Sequence, residues 1–284
     1  MHDVQVTRVA HFFCELVGMA LVVFVGLSAI AVFFGIPGAV VALPNEWMRI
    51  FLATLVFCVF LISLVKSPIG KISGCHLNPA TSFAFYLEGL LKLDALLIYV
   101  AGQILGATLG AYLFEIAWAS VSASIHFGVP LPAATLSLPA VAGIEAMLTC
   151  GSISLAFYFM HHERVHPYCP YVTAIYLIAM KLVAASFTGA GMNPARALGP
   201  SFVAGDYRTV FAYVIGPLLG AAAAHLIHRI FGLKRPKFHK FGHAEHGEHY
   251  LMNLLGRPYH YVHDHAHFPL HLRRQIEKEN QPRT

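Results

Sequence analysis

The tripeptide Asn-Pro-Ala occurs twice in this chain, at residues 78–80 and at residues 193–195, each time after a glycine-containing stretch. Asn is a favoured N-cap residue and Pro is favoured at the first position of a helix. Each copy therefore predicts the start of a helix, over residues 79–88 and 194–203. At about 1.5 Å per residue, each segment reaches roughly 15 Å, or half of a bilayer core. Two such half-helices, meeting end to end, would together cross a membrane once.

The composition places both segments in a membrane protein. The chain is 57% hydrophobic and only 12% charged, and apolar runs recur along most of its length, which is typical of a polytopic membrane protein. The first apolar run continues to Pro37, which is too long for a cleavable signal peptide. Six long spans are predicted, at residues 9–36, 48–66, 94–118, 138–160, 171–187 and 207–232.

The two halves of the chain repeat one another. In each half a Glu within an apolar span (Glu15, Glu145) precedes the Asn of the tripeptide, and a Gly-xxx-Gly spacing follows it. From the Asn to the second of these glycines there are 28 residues in one half and 27 in the other. Since each half contains three full spans, an odd number, the halves must be inverted relative to each other. The small residues at this spacing allow close helix packing.

Charge distribution predicts the orientation of the chain. Lys and Arg concentrate at the N-terminus, between spans two and three, between spans four and five, and after span six, whereas residues 119–137 contain no Lys, Arg, Asp or Glu. Both termini are therefore expected in the cytoplasm. The formal charge of +5 has this local cause, so nucleic-acid binding is not expected. Residues 233–284 contain nine of the 18 His and no apolar run long enough to span, and are predicted to be a His-rich cytoplasmic tail.

These features together resemble the aquaporin family, also known as major intrinsic proteins, over about residues 9–232. The resemblance implies an all-α membrane protein, with six transmembrane helices plus two half-helices in an inverted repeat (aquaporin-like). It implies one channel domain at residues 1–232, with inverted halves at about 9–118 and 138–232. It further implies a multi-pass protein of the cell membrane, usually a homotetramer with one pore per subunit.

The resemblance also assigns the pore centre and its supports. Asn78 and Asn193 would present amide donors to a passing oxygen at the pore centre, where the positive ends of two half-helices disfavour cations. Glu15 and Glu145 match positions that support the backbone of the pore loops, with a proton relay as the alternative reading. His76 matches a residue near the cytoplasmic mouth that lines the pore or braces its loop.

Arg196 is the filter arginine of the family pattern, lining the outer constriction and repelling cations. Counting back from it without gaps places Ala190 six residues earlier and Lys181 fifteen earlier in the same selectivity filter. Lys181 departs from the family, where His is usual in water-selective members and a small apolar residue in glycerol-type members. An alternative is that Lys181 extends outward to the membrane interface.

The fourth filter position depends on the same kind of counting. Twenty residues before Asn78 lies Cys58, although a shift of one residue would select Phe57 instead. Cys58 and Ala190 suggest a wide rim without aromatic side chains. Ala197, which follows the filter arginine, favours water, because glycerol-type members usually have Asp there.

The predicted function is a passive channel for water, with small neutral solutes also considered, that excludes protons and cations. The alternatives are a channel mainly for uncharged solutes such as glycerol, urea or ammonia, and a secondary transporter with inverted repeats. No constellation of residues indicates an enzyme, and no cofactor is expected. The five Cys show no paired spacing, so neither disulfides nor a zinc site are expected, while metal binding by the His-rich tail is left as an alternative because His is a common metal ligand. The expected partners are the transported molecule, the lipid bilayer and copies of the same chain.

Overall fold

A computed structural model of the protein describes residues 2–162 and 164–231. Eleven α-helices form in this part of the chain, and no β-strand does. In chain order they are α1 (His2–Ile30), α2 (Pro37–Ala42), α3 (Glu46–Lys66), α4 (Pro68–Ser73), α5 (Pro79–Leu87), α6 (Leu93–Ala117), α7 (Ala119–Ser122), α8 (Leu138–His161), α9 (Cys169–Thr188), α10 (Pro194–Ala204) and α11 (Val210–Ile230). One π-helical turn (Ala31–Gly35) and two 3-10 segments (Ala123–Gly128 and His166–Tyr168) complete the helical elements. The His-rich tail expected at residues 233–284 lies outside the described residues.

Six of these helices are long and apolar enough to cross a membrane, namely α1, α3, α6, α8, α9 and α11. They begin and end close to the predicted spans, apart from α1, which begins earlier in the chain than expected. Six crossings return the chain to the side where it began, so the start of α1 and the end of α11 lie at one end of the bundle, called here the terminal end. The fold class predicted from the sequence is confirmed.

The short helices α5 and α10 start at the two Asn-Pro-Ala sequences, as predicted. In each, the Asn is the N-cap residue with an extended backbone, and Pro occupies the first helical position. They contain 9 and 11 residues, so each crosses only part of the bundle. Helix α5 packs against α11 and α6, and α10 packs against α6 and α11. Each half-helix is thus held by long helices from both halves of the chain.

The main helix contacts follow the inverted repeat. Helix α1 packs along α6 in the first half, and α8 packs along α11 in the second. Glycine allows the two helices of each pair to pack this closely. A Cβ atom on Gly106 would lie 2.2 Å from the carbonyl oxygen of Leu16, and a Cβ atom on Gly220 would lie 2.3 Å from the carbonyl oxygen of Ala146. The small-residue spacing seen in the sequence therefore brings helix backbones into direct contact in both halves.

Candidate functional site

Two loops of the same conformation precede the half-helices. The first runs over residues 73–78 and the second over residues 188–193. Each has a left-handed glycine at its second position, and each has two further residues in the left-handed region, Cys75 and Leu77 in the first loop and Ala190 and Met192 in the second, with φ between 46° and 52°. Such φ values are uncommon for residues other than glycine and persist only where the surroundings enforce them. These left-handed residues keep each loop out of the right-handed helical conformation, so its backbone N–H and C=O groups need partners other than a helix.

A buried carboxylate enforces this conformation in each half. Glu15 on α1 accepts hydrogen bonds from the backbone N–H groups of His76 and Leu77, at 3.1 and 2.7 Å, and from the Ser73 hydroxyl at 2.7 Å. Gln103 on α6 donates to the same carboxylate at 2.7 Å. Hydrogen bonds to a charged group are stronger than those between neutral groups. Glu15 therefore holds the backbone of the first loop in place from its position on α1.

Glu145 on α8 does the same for the second loop. It accepts from the backbone N–H groups of Gly191 and Met192 at 3.0 and 2.6 Å, and from the hydroxyl of Thr188 at 2.7 Å. Both carboxylates are fully buried. Their bonds are directed at loop backbone in both halves, which is the arrangement expected of a structural support.

The two Asn side chains connect the loops to each other. Asn78 donates through Nδ2 to the carbonyl oxygen of Met192, and Asn193 donates through Nδ2 to that of Leu77, both at 2.8 Å. Each Asn also accepts, through Oδ1, from the backbone N–H two residues ahead, at 2.9 and 3.1 Å, and so caps its own helix. An amide nitrogen carries two hydrogens. Each side chain therefore has one more hydrogen to donate after making its bond to the opposite loop.

A cavity of about 430 Å³ passes beside the two Asn side chains. Its lining includes Glu46 in the first turn of α3 and Val65 in the last, so it follows roughly 28 Å of helix. Side chains such as Val22, Leu61 and Ile153 form apolar walls, while both loops and both Asn residues also line it. The cavity is a path across the bundle with largely apolar helix walls, to which the two loops add polar backbone groups.

Two cationic side chains line this cavity on the side away from the terminal end. Arg196, in the first turn of α10, donates through Nη1 to the carbonyl oxygen of Gly128 at 2.9 Å. Lys181 on α9 donates through Nζ to that of Gly189 at 2.5 Å. The charges of the two residues are close enough to interact. Lys181 thus turns into the cavity, and Ala190 lines the same region.

The sequence matches the model of the family described as major intrinsic protein over residues 3–228. The lens fiber major intrinsic protein of Homo sapiens is 30% identical over 200 residues, which is 69% of this chain and 74% of that protein. Aquaporin A of Dictyostelium discoideum is 30% identical over 222 residues, or 77% of each chain. The chain belongs to the major intrinsic protein family.

A solved structure supports the fold of this major intrinsic protein. The aquaglyceroporin from Plasmodium falciparum aligns with a TM-score of 0.65 and 19% sequence identity, over 78% of this chain and 95% of that one. The family match and the six helices that can span a membrane make the chain a multi-pass membrane protein of a channel family. The resemblance noted in the sequence is confirmed.

In this major intrinsic protein, Phe57 rather than Cys58 lines the cavity. The cavity face of α3 includes Ile50, Thr54, Phe57 and Leu61, at intervals of three or four residues. Cys58 falls outside that row; it is buried, and its thiol donates to the carbonyl oxygen of Ala174 on α9 at 3.6 Å. The ungapped count from Asn78 therefore selects Cys58, which packs between helices. The alternative count, shifted by one residue, selects Phe57, which lines the cavity. Phe57 therefore adds an aromatic ring to the cavity wall.

His76 lies on the cavity wall beside the first loop. Its ring contacts those of Phe85 and Tyr99, with centroids 4.4 and 5.0 Å apart, and its Nδ1 lies 3.2 Å from the hydroxyl of Ser82. The side chain is 4% exposed. His76 therefore lines the cavity and packs against residues of α5 and α6.

Several supporting residues are not found by sequence reasoning alone. Tyr99 donates to the carbonyl oxygen of Ser73 at 2.6 Å, and Tyr213 donates to that of Thr188 at 2.5 Å. These tyrosines occupy corresponding places, 26 residues after Ser73 and 25 after Thr188. This similar spacing in the two halves is the sequence signal by which the tyrosines could have been found. Gln103 could not be found in the same way, because the equivalent residue of the second half is Pro217.

Proposed function

We propose that this protein is a passive water channel that excludes protons and cations. The observation that carries the proposal is the exchange of bonds between Asn78 and Asn193, each of which donates to the loop of the other half. That exchange brings two amide nitrogens to one level of the cavity, each with a hydrogen left for a passing oxygen. Water, with its small size and two acceptor lone pairs, is the solute that best matches two donors in a narrow path.

The same arrangement opposes protons and cations. Helices α5 and α10 direct their N-termini, the positive ends of their dipoles, toward the level of the Asn side chains. A water molecule that accepts a hydrogen bond from each amide has its own hydrogens directed away from the centre, toward the two ends of the path. A proton would have to pass through a water molecule whose lone pairs are occupied, against a positive potential.

The outer constriction is proposed to consist of Arg196, Lys181, Ala190 and Phe57. The two cations supply hydrogen-bond donors, and the ring of Phe57 supplies an apolar wall that packs 3.2 Å from where a Cβ on Gly26 would lie. Lys181 occupies space that the small side chain of Ala190 leaves open. A rim that is narrowed in this way favours water over larger molecules.

A channel mainly for small uncharged solutes such as glycerol, urea or ammonia is the second candidate. Its support is Ala190, which leaves more room at the rim than an aromatic residue would. Ala197, which is buried behind the arginine, is the residue that instead favours water in the family pattern. A secondary transporter is a third reading, and saturable, ion-dependent flux would indicate it.

The test is osmotic swelling and shrinking of proteoliposomes. A sucrose gradient is expected to drive water flux well above that of empty vesicles, with a low activation energy, and a glycerol gradient is expected to drive much less solute entry. Vesicles that respond no faster than empty ones would refute water conduction. A proton leak proportional to the amount of protein would refute the exclusion mechanism.

The chain provides a matched control for the Asn side chains. Asn45 caps α3 by accepting from the backbone N–H of Met48 at 3.2 Å, but it is exposed at the end of the helix. Asn45→Ala and Asn193→Ala each remove an N-cap, at a cost of about 1 kcal/mol. Only Asn193→Ala removes a donor from the centre of the cavity, so only that variant is expected to reduce water permeability per inserted protein.

The assembly and placement proposed for the channel follow the family resemblance. We propose a homotetramer with one path per subunit, in the cell membrane, with both termini in the cytoplasm. Residues 1–232 would form the channel domain, and residues 233–284 would follow it as a cytoplasmic tail.

A further inference from the structure

We infer that Lys181 and Arg196 form a binding site for a small monovalent anion, which obstructs the water path when it binds. The inference rests on the proposed function, because the obstruction is read out as water flux. The site consists of two cations on different helices, α9 and α10, that line the same cavity and are close enough for their charges to interact.

Each cation keeps donors available for a ligand. Lys181 carries three ammonium hydrogens and Arg196 five guanidinium hydrogens, and one hydrogen of each is engaged by the carbonyl oxygens of Gly189 and Gly128. These two bonds fix the charged groups in place, so an anion between them does not have to order two free side chains. Charge-assisted hydrogen bonds from two sides are what a planar or spherical monovalent anion requires.

The neighbouring carboxylates leave the pair positive. Among the described residues that line the cavity, Glu46, Lys181 and Arg196 are the ones with a carboxylate, ammonium or guanidinium group. Glu46 lies exposed at the first turn of α3, where water screens it. Glu145 lies behind the second loop and already accepts three hydrogen bonds from it. An anion at the rim therefore meets two positive groups at close range.

The loop beyond the rim obstructs an anion that has bound. Because Glu145 takes the N–H groups of Gly191 and Met192, the backbone groups of this loop left for a solute are carbonyl oxygens. Carbonyl oxygens accept hydrogen bonds and repel negative charge, whereas a water molecule can donate to them. The anion consequently stays at the rim, in the place that water must pass.

The experiment measures water permeability of proteoliposomes in sodium nitrate and in sodium gluconate, with the same salt inside and outside, so that sucrose alone drives flow. Gluconate is the reference anion because it is much larger than nitrate. Nitrate is expected to reduce permeability in a saturable manner, at concentrations typical of weak binding, because a site in a channel must also release its ligand. Equal permeability in the two salts would overturn the inference, whereas the absence of any water flux would instead refute the proposed function.

Three variants assign the effect to the pair. Lys181→Met keeps the length of the side chain without its charge and is expected to abolish nitrate sensitivity, whereas Lys181→Arg is expected to retain it. Arg208→Gln is the matched control: Arg208 is an exposed cation between α10 and α11 that pairs with Asp206 and does not line the cavity. Its loss is expected to leave nitrate sensitivity unchanged. Nitrate sensitivity that persists in Lys181→Met would place the anion elsewhere and overturn the assignment.

A second measurement tests the obstruction itself. A nitrate gradient across the same vesicles, followed with a voltage-sensitive dye, is expected to produce no more potential than in empty vesicles. A protein-dependent nitrate potential would show that the anion passes the carbonyl oxygens, and would overturn the obstruction.

Discussion

Replacing Glu145 by Gln tests whether this carboxylate supports the second loop. The amide introduced by Glu145→Gln would present an N–H group where the carboxylate now presents an oxygen. In one orientation it faces the N–H of Met192, now bonded at 2.6 Å, and in the other it faces that of Gly191, bonded at 3.0 Å. Either way one backbone N–H loses its acceptor in a buried site. A hydrogen bond to a charged group contributes about 1.5–3 kcal/mol and a buried unpaired donor costs about 1–3 kcal/mol, so we expect a loss of stability of about 3 kcal/mol.

The measurement is thermal unfolding in detergent, followed by loss of helical circular dichroism, together with water permeability in vesicles. For a chain of this size, about 3 kcal/mol corresponds to a decrease of roughly 6–12 °C in midpoint temperature, and water permeability is expected to decrease with it. Glu115→Gln is the control, because Glu115 near the end of α6 accepts no bond from either loop in the described part of the chain. Unchanged stability of Glu145→Gln, with only a proton permeability altered, would refute the structural role and favour a proton relay.

The remaining predictions concern the rim and the helix contacts. Lys181→Ala is expected to raise the ratio of glycerol to water permeability a few-fold, since the side chain that narrows the rim is removed; an unchanged ratio in vesicles would exclude Lys181 from the filter. Arg196→Ala is expected to admit cations and larger solutes while the protein still inserts into the membrane. Ion and solute fluxes equal to those of the parent would show that Arg196 does not determine selectivity. Gly106→Ala is expected to cost about 1–3 kcal/mol by overpacking against Leu16, whereas Gly143→Ala, where a Cβ would meet nothing within 4 Å, should stabilise its helix by about 0.5–1 kcal/mol. Thermal shifts of the same sign for the two glycine variants would contradict the close backbone approach.

The sequence predicts most of this fold because its signals are local. Apolar runs give the six spans, and Asn followed by Pro gives the starts of α5 and α10, since capping depends on neighbouring residues alone. The inverted repeat then follows from counting spans between equivalent residues. The beginning of α1 is the main difference, because residues 2–8 are more polar than a membrane span yet still join the helix.

The site is predicted less completely, because its geometry joins distant segments. The bond from Asn78 to Met192 spans 114 residues, and no local pattern specifies which carbonyl oxygen receives it. The choice between Phe57 and Cys58 depends on the rotation of α3 about its axis, where a shift of one residue turns a side chain by about 100°. The side chain of Lys181 is long enough to reach either the membrane interface or the cavity. It turns into the cavity because the loop places the carbonyl oxygen of Gly189 within hydrogen-bond distance there.

The reciprocal bonds between the Asn side chains have a consequence for biosynthesis. Residues 1–117 can insert and pack α1 against α6 before the second half is made, but the amide of Asn78 and the carbonyl oxygen of Leu77 must wait for residues 192 and 193. Until then the first loop faces a partly formed interior with two polar groups unsatisfied. Both loops therefore reach their final hydrogen bonds only after both halves have been made, and a change in either loop removes a hydrogen-bond partner from the other.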